Sequence, residues 1–129
     1  MKLKPPSEDL EQRRSVWEAL STLFLDTDVS LLRNERASSL VASPYSVEEI
    51  EEILVQEVFP VCGWNLVSVA GEWDGFDQEW LAAEILRRWR PQRRWSLGRY
   101  FARRSSEWRQ TREAVVSIRG KSGGRHYGR

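Results

Sequence analysis

Apolar residues recur along this chain at steps of three and four, and no stretch of useful length alternates apolar with polar residues as a strand does. The spacing confines the fold to packed helices. Ser7, followed by Glu8 and Asp9, predicts a helix start, because a hydroxyl caps free backbone N–H groups and acids favour the positive end of the helix dipole. That helix runs to about Phe24, with Val16, Trp17, Leu20, Leu23 and Phe24 on its buried stripe and Glu18 and Thr22 outside it. Asp26, Thr27 and Asp28 interrupt the pattern. A second helix spans about Ser30 to Ala42, and Pro44 prevents its continuation.

The strongest start signal follows. Ser46 and Glu49 have capping-box spacing, and Tyr45 is placed to staple onto Ile50. Val47, Ile50, Leu54, Val58 and Val61 define the apolar face of this third helix; Glu48, Glu49, Glu51, Glu52 and Glu57 are assigned to its solvent side. Pro60 and Gly63 should kink or divide it. A short helical piece is expected over 63–70, and then a turn through Glu72, Trp73 and Asp74 between Gly71 and Gly75. Asp77 is placed to cap a helix carrying Leu81, Ile85 and Trp89, which Pro91 ends. Ser96 caps a last helix with Leu97, Phe101, Trp108, Val115 and Ile118 on one face. The expected fold is all-α: one domain of five or six helices over 1–119, followed by a mobile tail over 120–129 that holds four glycines.

Composition places this helical domain in a class. Seven Trp and a hydrophobic fraction of 40% argue against disorder, and 129 residues suffice for one modest core. No apolar run approaches the roughly 18 residues that span a bilayer, so no membrane association and a cytoplasmic location are the expectations. Cys62 is the single cysteine; in an apolar stretch it reads as a small buried hydrophobe. The formal net charge is only +1, yet the charges are sorted along the chain. Residues 1–86 hold 6 Lys/Arg against 17 Asp/Glu, and residues 87–129 hold 14 against 2. An acidic body with an arginine-rich end selects partners by sign.

The stretches RRSVWEALSTLFLDT at 13–27 and EEILVQEVFPVCGWNLVSVAGEWDGFDQEWL at 51–81 resemble a family of small, uncharacterised bacterial helical proteins. Its members share a V-W-x-A-L-S-x-L-F-L-D pattern, an E-V-x-P element and an A-G-E-W-x-G-F segment. The resemblance covers the acidic two-thirds of the chain and brings no catalytic residues with it. In size and charge the chain also looks like bacterial immunity proteins, which bind and block a toxin domain.

The functional expectation is binding without catalysis. No nucleophile elbow or phosphate-cradling glycine loop occurs, the single histidine, His126, lies in the expected tail, and no cofactor or metal is implied. Glu72, Asp74, Asp77 and Glu79 gather carboxylates without calcium-loop spacing, and turn and cap chemistry explains them. The first functional expectation is an immunity-type inhibitor whose acidic helices cover the basic groove of a toxin such as a nuclease. Glu48, Glu52, Trp73, Asp74 and Glu79 are its candidate contacts, with Trp73 as apolar anchor. The alternative is RNA or single-stranded DNA binding through the Arg/aromatic-rich residues 87–129, with Arg93, Arg94, Arg99, Arg103 and Arg104 as candidates. A third arrangement uses the opposite charges within the chain, or between two copies as a homodimer.

Overall fold

A computed structural model describes residues 3–24, 29–63, 77–90 and 96–127, and among them every regular element is helical. The elements are α1 (Leu10–Ser21), α2 (Arg33–Ala42), α3 (Val47–Ile53), α4 (Phe59–Cys62), α5 (Gln78–Arg88), α6 (Ser96–Arg104) and α7 (Ser106–Tyr127). A π-helical turn, Leu54–Val58, joins α3 and α4 into one rod, so the bundle is the expected single all-α domain. α2 lies against α1 and α7, and the α3–α4 rod packs on α1, α5, α6 and α7.

The first helix starts later than Ser7 predicts. Pro6–Glu8 form a 3-10 turn, because consecutive prolines fix the backbone and supply no N–H, and regular helix begins only at Leu10. Its stripe is as expected: Val16, Trp17, Leu20, Leu23 and Phe24 are all buried. The second helix is also as expected, with a 3-10 entry over Val29–Leu32. At Ser46 the capping box is complete. The Ser46 hydroxyl accepts from the Glu49 N–H at 3.1 Å, and the Glu49 carboxylate accepts from the Ser46 N–H at 2.9 Å.

Pro60 acts before its own position. Its ring would meet the carbonyl four residues back, at Gln56, and the rod answers with the π turn, in which the Phe59 N–H bonds the Leu54 carbonyl. Glu57, expected on the solvent side, is buried at 4% exposure, along with Leu54, Val55 and Val58: it follows Ile50 by seven residues and Ile53 by four, and both of these are buried. Three aromatic rings seal the rod against α6: Phe24 stacks on Phe101 at 4.9 Å, and Phe59 lies 6.1 Å from Phe24 and 5.5 Å from Phe101. Gly63 sits close under Phe59, with 2.9 Å between the ring and the place a Cβ would take.

Asp77 caps α5 as expected, accepting from the Trp80 N–H at 2.8 Å, and α5 buries Leu81 and Ile85. Trp89 is only half-buried, just beyond the helix. The single last helix expected over the basic end is two. Ser105 lies between α6 and α7, and its hydroxyl accepts from the Trp108 N–H at 3.0 Å, the cap that restarts the chain in a new direction. The break puts Leu97 (61%) and Ile118 (41%) on the surface, whereas Trp108 and Val115 stay buried. Helical backbone then continues through Gly120 to Tyr127, where the glycines predict a tail, because extending a helix already anchored by packing costs less than starting one. The expected helix over 63–70 falls almost wholly outside the described residues.

Candidate functional site

The sequence sorts the charges into two blocks; the fold returns one block onto the other. Along α3 the outward carboxylates Glu48, Glu51 and Glu52 meet groups from α6 and α7. Arg99 of α6 reaches Glu52 at 2.5 Å. The Trp108 indole N–H donates to Glu51 at 2.9 Å, and Arg112 of α7 donates to the same oxygen at 3.2 Å. Arg112 also lies 3.9 Å from Glu48, the most open of the three, with 68% of its side chain exposed. Helical spacing sets this row: Glu48 and Glu52 are one turn apart and Glu51 lies beside them. These pairs are partly exposed and exchange readily with other cations, since interactions of this kind contribute about 0.2–1 kcal/mol each.

Two further arginines are buried in the core and carry no local signal in the sequence, because their carboxylate partners lie far along the chain. Arg13 holds Glu57 through both oxygens, at 3.0 and 2.8 Å, and the Trp17 indole N–H donates to Glu57 at 2.8 Å. Arg13 also donates to the Lys4 carbonyl at 2.6 Å and stands over the Tyr45 ring at 5.5 Å, and the Tyr45 hydroxyl donates to Asp9. Burial pushes the Arg13 guanidinium down, and its bonds and attraction to Glu57 outweigh that and hold it above its ordinary value. Burial, with the bond to Asp9, pushes the Tyr45 phenol up to about 12.

Arg36 is the second. It donates to Thr22 at 2.7 Å, to Glu107 and Thr111 at 3.0 Å each, and to the Val29 carbonyl at 2.8 Å. Arg33 binds Glu107 through two further bonds of 2.7 and 2.8 Å. Burial lowers the Arg36 value, partly offset by Glu107; the bond from Arg33 and the two nearby cations hold the Glu107 carboxyl below its usual range. Arg119 closes the other end of α2 by donating to the carbonyls of Leu40, Val41 and Ser43 at 3.0–3.3 Å. These bonds are internal ties. They fix where α7 lies, and α7 in turn presents Arg112 to α3.

Three of the five expected contacts lie among the described residues. Glu48 and Glu52 share the α3 row, whereas Glu79 stands at the first turn of α5, 84% exposed and paired with Arg14 of α1 at 2.8 Å. Trp73 and Asp74 lie outside the described residues, as do Arg93 and Arg94 of the alternative set. In that set Arg99 is committed to Glu52, whereas Arg103 and Arg104 are exposed. Cys62 is buried, and burial pushes its thiol up, out of nucleophilic range. Among the described residues no three His, Cys, Asp or Glu side chains are placed to hold a metal ion, and no helix is long and apolar enough to cross a membrane. A cleft of about 210 Å³ opens above the Arg13–Glu57 pair, with Lys4, Glu52, Gln56, Trp89 and Arg90 at its walls.

A family model described as a domain of unknown function (DUF7079) matches residues 11–118, which takes in every tie described above except those of Lys4, Asp9 and Arg119. No curated protein and no solved structure matches the chain.

Proposed function

The chain belongs to the DUF7079 family of unknown function, and from that premise we propose that it is a protein-binding module, an inhibitor of immunity type that covers a basic toxin domain. The observation that supports this reading is the α3 row itself. Glu48, Glu51 and Glu52 already receive guanidinium and indole donors from α6 and α7, in partly exposed pairs. A face that accepts arginines of its own chain this way accepts those of a partner by the same chemistry. Glu48 is the open end of the row, with one guanidinium at 3.9 Å and most of its surface in water. An arginine or lysine of the partner would meet Glu48 first and compete with Arg112 for the rest. Glu79 offers a further carboxylate on α5, and Trp73 and Asp74 remain candidate contacts.

The test is a pull-down from the native cell at low salt with the tagged full-length chain, set against Glu48→Lys/Glu52→Lys. A basic protein recovered in stoichiometric amount with the first and absent with the second supports the reading. Equal recovery with both removes it. Glu48 and Glu52 lie outside the apolar core, and a far-UV spectrum like that of the parent separates a binding defect from a folding defect.

A further inference from the structure

The fold divides the arginines of the basic end into two groups. Arg87 and Arg88 are held by Glu84 at 2.7 and 3.2 Å, Arg99 by Glu52, Arg112 by Glu51, and Arg119 by the end of α2. Arg90, Arg103, Arg104 and Arg109 are exposed and none has a carboxylate within 4 Å among the described residues; Arg90, just beyond α5, donates instead to the carbonyls of Arg87 and Trp89. Arg103, Arg104 and Arg109 lie at the corner where α6 turns into α7. Arg109 bridges the corner by donating to the Arg103 carbonyl at 3.4 Å. Glu107, the nearest acid in sequence, is turned inward onto Arg33 and Arg36. Glu113, one helical turn beyond Arg109, is the exposed acid that remains near the corner.

An aromatic ring stands with these cations. Tyr100 is 56% exposed on the outer face of α6, one turn before Arg104, whose guanidinium lies 5.6 Å from the ring centre. Leu97 continues the same face, 61% exposed. An exposed ring beside uncompensated guanidinium groups matches a strand that offers phosphates and unstacked bases together: arginine forks grip phosphate oxygens, and the ring takes a base face. A duplex offers no free base face to Tyr100. An acidic protein would satisfy the charges but leave the ring without its particular match.

We propose that the α6–α7 corner binds single-stranded nucleic acid, with Arg103, Arg104 and Arg109 on phosphates and Tyr100 stacked on a base. This site shares no residue with the α3 row, so either can fail without the other.

The test is fluorescence anisotropy of the full-length protein with a labelled oligo-dU or oligo-dT of 12 nucleotides at low salt. The expected result is saturable binding that weakens steeply with salt. Arg103→Ala/Arg104→Ala/Arg109→Ala should weaken it at least tenfold and flatten the salt dependence by about two, at roughly 0.7 for each phosphate no longer neutralised. Tyr100→Ala should weaken it about fivefold or more and leave the salt slope unchanged, which a purely electrostatic interaction does not predict. All four positions are exposed, and Cys62 protected from a thiol reagent confirms that each variant is folded. The proposal is overturned by an absence of binding, by equal binding of the triple variant, or by a poly-glutamate peptide of equal charge binding as tightly as the oligonucleotide.

Discussion

Replacing Glu57 by leucine is the sharpest probe of how this domain is held together. The substitution keeps side-chain volume and removes the acceptor of three hydrogen bonds, two from Arg13 and one from the Trp17 indole. Arg13 then keeps the Lys4 carbonyl and a 3.4 Å approach to Asp9, yet its charge stays in place with only 1% of the side chain exposed. Leaving one member of a buried pair without the other costs about 3–5 kcal/mol, and the orphaned indole adds to the same loss without being additive to it. Against a total stability of about 5–15 kcal/mol, such a loss brings the domain close to unfolding. Urea unfolding followed by tryptophan fluorescence should show the midpoint falling by on the order of 2 M, with m of about 1–3 kcal/mol/M. The companion variant Arg13→Met/Glu57→Leu removes the uncompensated charge and should recover most of the loss. A Glu57→Leu loss below about 1 kcal/mol, or a double variant no better than the single one, would refute the reasoning.

Other expectations concern acid, packing and thiol access. Glu107 has its folded-state value below the ordinary carboxylate range. Its contribution to stability is present above that range and is lost as pH falls through the lowered value, since the unfolded chain takes up the proton first. Glu107→Gln should therefore lower stability at neutral pH and flatten its decline in acid, as read from urea midpoints between pH 7 and 3. Gly63→Ala places a methyl 2.9 Å from a Phe59 ring that Phe24 and Phe101 keep from moving; overpacking of about 1–3 kcal/mol should outweigh the helix propensity gained, lowering Tm. Cys62 should react with a thiol reagent only through global opening, so that Glu57→Leu accelerates labelling by about tenfold for each 1.4 kcal/mol of stability lost.

Much of this architecture is legible in the sequence because the signals are local. The Ser46–Glu49 box, the Asp77 cap and the stripe from Val16 to Phe24 each follow from residues within a turn or two of one another. What the sequence conceals is long-range. Glu57 reads as one more acid on a charged helix although its spacing from Ile50 and Ile53 puts it on the buried face, and the partner that lets a carboxylate stay there, Arg13, lies forty-four positions away. Arg36 and Glu107 are seventy-one positions apart. Ser105 carries a cap signal, but the regular spacing of Phe101, Trp108 and Val115 across it hides the break between α6 and α7. For the α3 row, the carboxylates and their spacing are plain in the sequence, and pairing within the chain stands among its readings. Which arginines meet them depends on that break, because it sends α7 back along α2 and α3 with Arg112 beside Glu48 and Glu51.

The most direct measurement on the α3 row is the affinity of the recovered basic partner for two single variants, Arg112→Ala and Glu48→Lys, at one fixed low salt concentration. If the row receives the partner's cations in competition with Arg112, removing Arg112 tightens binding and reversing Glu48 weakens it. Effects of the same sign, or no effect from either, would contradict the α3 row as the binding face.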